Sequence, residues 1–168
     1  SEYLATHAVV GITGVDTRAL TRHIREYGAM RGGIAPATRV EAEFLDQIRE
    51  QPRMQGLDLA SGVSTSEPYV VTARGEEQFH VLSYDFGLKA NSPKILSEHG
   101  CRITVIPAHT TALEILAEAP DGLFVSNGPG DPSAVEKAAK EILAVTEEGV
   151  PVFGICLGHQ LIARAFGA

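Results

Sequence analysis

Cysteine is nearly missing from this chain: of 168 residues, only Cys101 and Cys156 carry thiols. Two cysteines make no disulfide framework, and so sparse a usage fits a reducing compartment in which a lone thiol stays reactive. Positive charge is scarce as well. Lys and Arg number 14 against 21 Asp and Glu, a net charge of -7, and the basic residues are interspersed with acidic ones, so the basic patch that phosphate binding needs is missing and no nucleic acid partner is expected. No apolar run is long enough to span a bilayer, and the first residues lack the basic and apolar regions of a signal peptide. No membrane association and a cytoplasmic location are therefore the expectations. Neither Gly-x-Gly-x-x-Gly nor Gly-x4-Gly-Lys-Ser/Thr occurs, which leaves a nucleotide site unsupported. His99 and Cys101 have no companion pair, so no metal site is expected and Cys101 is assigned to the core. What is present is apolar: 44% of residues are hydrophobic, enough for a packed core in one medium domain, or in a small domain joined to part of a larger one.

The front of the chain reads as helical. Asp16 is placed as an N-cap, Leu20, Ile24 and Tyr27 follow at helical spacing, and Gly28 stands where a left-handed terminating residue is expected. Thr38 and Glu41 have the spacing of a capping box ahead of Phe44, Leu45 and Ile48, which predicts a second helix to about Glu50, before Pro52. Ile34 suggests a short extended piece between them. Residues 52–78 are rich in Gly, Ser, Thr, Pro and charge and read as a linker, apart from a short run at Tyr69, Val70 and Val71 that suggests one strand. Beyond it the texture changes. Residues 79–83, 102–106, 122–125 and 150–155 are short apolar runs rich in Val, Ile and Phe and read as buried strands. Between them, Thr111 and Glu114 cap one helix, while Asp131 as N-cap and Pro132 at the first position open another through Val135, Ala138, Ala139, Ile142 and Leu143 up to Gly149. Pro93, with Ser92 as its cap, starts a further helix that ends at Gly100. Strands alternating with helices predict an α/β fold: an open, mostly parallel sheet with helices on both faces, whose ligands bind at the carboxyl ends of the strands.

The chemistry concentrates at two of those carboxyl ends. Gly-Ile-Cys-Leu-Gly-His-Gln at 154–160 follows an apolar strand and precedes a helical stretch. That is the form of a nucleophile elbow, in which flanking glycines are needed because a Cβ would clash where strand folds into helix. A cysteine there sits at a helix N-terminus, where the macrodipole and free N–H groups favour thiolate and can stabilise an oxyanion. The plainer alternative, a small buried hydrophobe ending a strand, is the commoner fate of cysteine, but the glycine spacing favours the nucleophile. The second stretch is Ser-Asn-Gly-Pro-Gly-Asp-Pro at 126–132. Taken alone it is a turn before a capped helix. On the same rim as the elbow, Gly128 and Gly130 also permit close approach of a substrate, and Pro129 stiffens a loop that holds an N–H ready for developing charge.

Together these two motifs, separated by about one βαβ unit, strongly resemble the class I, or triad, glutamine amidotransferases. Within that family, Tyr-Asp-Phe-Gly-Leu-Lys-Ala-Asn at 84–91 and Val-Asp-Thr-Arg-Ala-Leu-Thr-Arg at 15–22 resemble the small subunits of carbamoyl phosphate synthetases. The resemblance implies that 1–51 is the end of a smaller N-terminal domain, 52–78 a linker, and 79–168 the N-terminal half of the amidotransferase domain. It implies hydrolysis of L-glutamine through a glutamyl thioester, with ammonia passed to a large subunit for carbamoyl phosphate synthesis in the arginine and pyrimidine pathways. On this reading Cys156 is the nucleophile, the N–H groups of Leu157 and Gly128 hold the oxyanion, and Gly128, Gly130, Leu157 and Gln160 seat the glutamine. No cofactor is expected on this chain, since ATP and Mg belong with the large subunit. The family's catalytic His and Glu lie well downstream of the cysteine, none of the six histidines matches that base, and His159 reads as structural. By itself the sequence is therefore expected to be nearly inactive and, with a sheet edge uncovered, poorly soluble. The rival readings are a non-catalytic scaffold that docks a partner, against which the intact elbow argues, and a different cysteine-elbow hydrolase, which leaves residues 126–132 and the front segment unexplained.

Overall fold

The structure, a computed structural model, describes residues 2–168. It divides into two compact units, Ser1–Met54 and Gln55–Ala168. The first unit holds helices α1 (Glu2–Thr6), α2 (Thr17–Tyr27) and α3 (Glu41–Glu50), none of which buries a residue. Helix α2 starts and stops where its sequence says: Asp16 accepts the Ala19 N–H at 2.9 Å, and Gly28 ends it at φ +83°.

Helix α3 departs from expectation. Its N-cap is Val40, with no side-chain cap, because residues 36–39 form a turn closed by Arg39 N–H on Pro36 O. That turn absorbs Thr38 before the helix begins, so the capping box with Glu41 does not form. At the other end the Arg31 guanidinium donates to the carbonyls of Arg49 and Gln51 and satisfies the exposed helix terminus. Ile34 lies in no strand.

In the second unit a five-stranded sheet has the order β1-β3-β2-β4-β5, with β1 (Tyr69–Val71), β2 (Phe79–Asp85), β3 (Cys101–Pro107), β4 (Gly122–Val125) and β5 (Val152–Gly154). β2, β3, β4 and β5 are parallel, and β1 runs antiparallel on the edge of β3. Alternation along each strand decides which face a side chain joins. Leu82, Tyr84, Ile106, Leu123 and Val125 pack with Ile115 of α5 (Ala112–Ala117), Ile142 of α6 (Glu136–Glu147) and Leu161 of α7 (Leu157–Ala165). On the opposite face Cys101, Ile103 and Val105 pack with Val71, Val81, Leu88 and Leu96, the last from α4 (Asn91–Glu98). Helices thus cover both faces of a mostly parallel sheet, as the sequence predicts.

Two expectations need correction here. From Gln55 onward the expected linker groups with the second unit: Ala60 is buried, and the Tyr69–Val71 run forms the strand its sequence suggests, β1, paired with β3. Its turn-rich composition conceals this, because its attachments are single hydrogen bonds rather than a periodic apolar face. Helix α4 begins at Asn91 and has no side-chain cap, so Ser92 is not its N-cap. Pro93 falls within the first turn, where a missing N–H leaves no helix bond unmade.

One buried histidine makes stability depend on pH. The ring of His80 bonds Thr104 Oγ1 at 2.9 Å, and burial, with Arg102 adding to it, pushes the His80 pKa below its ordinary value of 6.5. As pH falls through about 6.5, the unfolded chain takes a proton that the folded chain refuses, so stability declines on the acid side of that value. His80→Gln is expected to flatten this decline, measured as urea midpoints at pH values on either side of it.

β5 is an edge strand, and its aromatic side is uncovered. Phe153 is 66% exposed and Phe166 63%, and Phe153 stacks on Phe124 with ring centroids 6.2 Å apart. An apolar edge of this kind favours self-association. Phe153→Lys is expected to raise the monomer fraction in light-scattering chromatography of this chain.

Candidate active site

Three chain segments meet at the carboxyl ends of β2, β4 and β5, and short hydrogen bonds lock them to one another. After β4, Ser126 N–H donates to Tyr84 O at 3.1 Å, while Ser126 Oγ accepts the Phe86 N–H at 2.9 Å and donates to Asn127 O at 2.8 Å. Asn127 Nδ2 donates to Gly87 O at 2.8 Å. After β5, the Ile155 N–H donates to Val125 O and the Gly158 N–H to Ser126 O, at 3.1 and 3.0 Å. The loop after β2 is shaped by Asp85, whose carboxylate accepts the N–H groups of Gly87, Leu88 and Thr65 at 2.8, 2.7 and 2.8 Å.

Cys156 stands at the junction of β5 and α7 with φ 56° and ψ -113°. For a residue with a Cβ this backbone is strained, and such strain persists only where the surroundings enforce it. Here they do so through two glycines. A Cβ on Gly154 would lie 2.6 Å from the carbonyl carbon of Gly158, and a Cβ on Gly158 would lie 2.1 Å from Val125 O. Both positions are closed to any other residue, and the sharp turn lifts the thiol to an exposed position above the sheet.

Gly128 lies against this turn. A Cβ there would come within 2.2 Å of Phe86 O and 2.8 Å of Leu157 Cδ2, so only glycine allows the loop after β4 to approach the residue that follows the cysteine. Among the described residues neither the Gly128 N–H nor the Leu157 N–H has an acceptor. Two unsatisfied donors on adjoining segments are what an anion or a developing oxyanion requires. Gly130 adopts φ +96° in the same loop, and Gln160 lies exposed in the first turn of α7.

The remaining polar residues have other roles. Cys101 is buried, and desolvation, with Asp121 adding to it, pushes its thiol pKa up, which keeps it protonated and unreactive. His159 is exposed on α7. Two contributors escaped the sequence. Asp85 was visible only as part of a motif, since the three N–H groups it gathers follow no spacing rule. Residues 56–63, which adjoin Gly130 and Gly87, carry no periodic signal.

The chain matches the model of the glutamine amidotransferase class-I family over residues 82–168 and that of the carbamoyl-phosphate synthase small chain, CPSase domain, over residues 1–34. It is 46% identical over 166 residues to the carbamoyl phosphate synthase small chain of Streptomyces coelicolor, covering 98% of this chain and 44% of that one. With the small chain of a Nostoc species it shares 45% identity over 181 residues, covering 99% of this chain and 47% of the relative. With that of Escherichia coli it shares 44% over 183 residues, covering 100% and 48%. The chain spans a little under half the length of these curated relatives.

Proposed function

Because the chain belongs to the class-I glutamine amidotransferase family, we propose that it is the nucleophile-bearing part of the glutaminase subunit of a carbamoyl phosphate synthase. The observation that carries this reading is the pairing of a strained, exposed Cys156 with two unsatisfied N–H donors, on Gly128 and Leu157.

The reaction follows from that pairing. The Cys156 thiolate attacks the side-chain carboxamide carbon of L-glutamine, and the carbonyl oxygen becomes an oxyanion held by the Gly128 and Leu157 N–H groups. Collapse breaks the C–N bond. The nitrogen leaves with a proton as ammonia, and a glutamyl thioester remains on Sγ. Water then attacks the thioester, releasing glutamate and restoring the thiol. Gly130 gives the loop the left-handed turn, at φ +96°, that shapes the seat of the bound amino acid, and Gln160 in the first turn of α7 offers a side-chain amide to it. The proton relay of this reading belongs to the family's catalytic His and Glu, which none of the six histidines here matches. Ammonia then passes to a large subunit, where ATP and Mg drive carbamoyl phosphate formation for arginine and pyrimidine synthesis. The strong similarity to small chains, front segment included, supports that assignment.

The test is glutamine hydrolysis by the full-length protein, wild type against Cys156→Ser. Glutamate release that survives the substitution removes Cys156 from the chemistry.

A further inference from the structure

We propose that the backbone of residues 56–59, clasped by the Asp131 carboxylate, is the wall that holds the 128–130 loop in its working shape, which makes Asp131 a positioning residue for the glutamine carboxamide. The proposal rests on the functional reading above and deepens it.

The loop is gripped from several sides. Behind it, the space at Gly128 is closed by Phe86 O and Leu157 Cδ2. To one side, a Cβ on Gly87 would lie 3.1 Å from Val63 Cγ2, 3.2 Å from Pro129 Cδ and 3.4 Å from Gly128 Cα. In front, a Cβ on Gly130 would lie 3.0 Å from Leu57 O and 3.2 Å from Leu59 N. The back of this enclosure is sheet and helix. Its front is irregular chain.

That irregular chain is fixed at both ends, by different means. Downstream, Ala60 is buried, Ala60 O accepts the N–H groups of Val63 and Ser64, Ser64 Oγ accepts the Ala108 N–H at 2.9 Å, and the Thr65 N–H is bound by Asp85. Upstream, the attachment is Asp131. Its Oδ2 accepts the Gly56 N–H at 2.9 Å, and its own N–H reaches Leu57 O at 3.5 Å. Asp131 Oδ1 meanwhile accepts the Ser133 N–H at 2.8 Å and caps the short 3-10 turn Pro132–Val135 ahead of α6. One carboxylate therefore ties the strap, the loop and the helix start together. The Gly56 N–H, followed by the Ser133 contacts, holds the Asp131 carboxyl below its ordinary range, so both oxygens are available as acceptors at neutral pH.

The consequence concerns preorganisation. An oxyanion donor is effective when its position is set before the charge appears. Gly128 and Gly130 lend the loop freedom as well as fit, so a wall is needed to remove that freedom, and the clasp closes it.

The two oxygens of Asp131 can be separated experimentally in the full-length protein. Asp131→Asn and Asp131→Ser each retain an oxygen that caps Ser133, since Asn, Asp and Ser are comparable N-caps, and each loses the second acceptor for Gly56. Alkylation of Cys156 by a chloroketone analogue of glutamine is expected to slow about tenfold in both variants, while alkylation by iodoacetamide, which needs no oxyanion loop, stays at the wild-type rate. Wild-type rates with both reagents, or an equal loss with both, overturn the proposal. Backbone hydrogen exchange, which needs no ligand, is expected to quicken at residues 56–59 and 128–131 in both variants, and unchanged exchange there also overturns it. A wild-type protein that shows no preference for the glutamine analogue defeats the functional reading instead, and the exchange measurement still decides the clasp.

Discussion

Replacing Gly158 with alanine is expected to cost more than about 3 kcal/mol of folding stability and to abolish reaction of Cys156 with glutamine-like electrophiles. The added methyl would sit 2.1 Å from Val125 O, 2.7 Å from Val125 C and 2.8 Å from Ser126 O. All three are backbone atoms at the end of a central strand, so no side chain can rotate aside. Relief requires the start of α7 to move off β4, which breaks the Ile155-to-Val125 and Gly158-to-Ser126 hydrogen bonds. Those bonds set the elbow angle, so the stability loss and the loss of the site have one cause. Gly149→Ala is the control. Gly149 has the left-handed φ, of +85°, that helical Gly158 lacks, but nothing lies within 4 Å of its missing Cβ, so the cost there is only the backbone strain, about 1–2 kcal/mol. Urea midpoints of the two variants separate steric exclusion from backbone strain. Equal midpoints would mean that the close approach at Gly158 is not required.

On the proposed function, Cys156→Ser is expected to lower glutamine-dependent turnover of the full-length protein, assembled with the large subunit proposed for it, by at least about a thousandfold. A hydroxyl at that position is far less ionised than a thiol, and the N–H groups of Gly128 and Leu157 still offer their anion site. Glutamine should therefore continue to bind while the thioester fails to form, so kcat falls and KM changes little. Turnover supported by added ammonia should be unaffected, because it bypasses the cysteine. A parallel loss of the ammonia-supported rate would assign Cys156 a structural part in the assembly rather than a chemical one. Cys101→Ser, in the buried cluster with Ile103 and Val105, should leave glutamine-dependent turnover intact.

How far the sequence could be read depended on the kind of force that shapes each region. β2, β3 and β4 were legible because burial leaves continuous apolar runs, and 122–125 was placed to the residue, whereas 150–155, expected as a buried strand, holds the half-exposed edge strand β5. Capping boxes were legible where nothing competed for the cap. Thr111 and Glu114 bond reciprocally, whereas Thr38, with the same spacing to Glu41, is taken up by the preceding turn. The elbow was legible because two glycines at fixed spacing answer a steric demand that no other residue meets. Residues 55–65 were not, since their place comes from isolated bonds to Asp131 and Asp85 across long sequence separations. Asp131 illustrates the limit. Its capping role follows from Pro132 beside it, but nothing local announces that its second oxygen reaches Gly56.

The most direct measurement is mass spectrometry of the protein after brief exposure to a glutamine-mimicking electrophile, with Cys156→Ala alongside. A formed elbow and oxyanion loop should give one adduct, on Cys156 and not on the buried Cys101, that disappears in the alanine variant. Adducts spread equally over both cysteines, or none on Cys156, would contradict the assignment of this site as a glutamine-directed nucleophile.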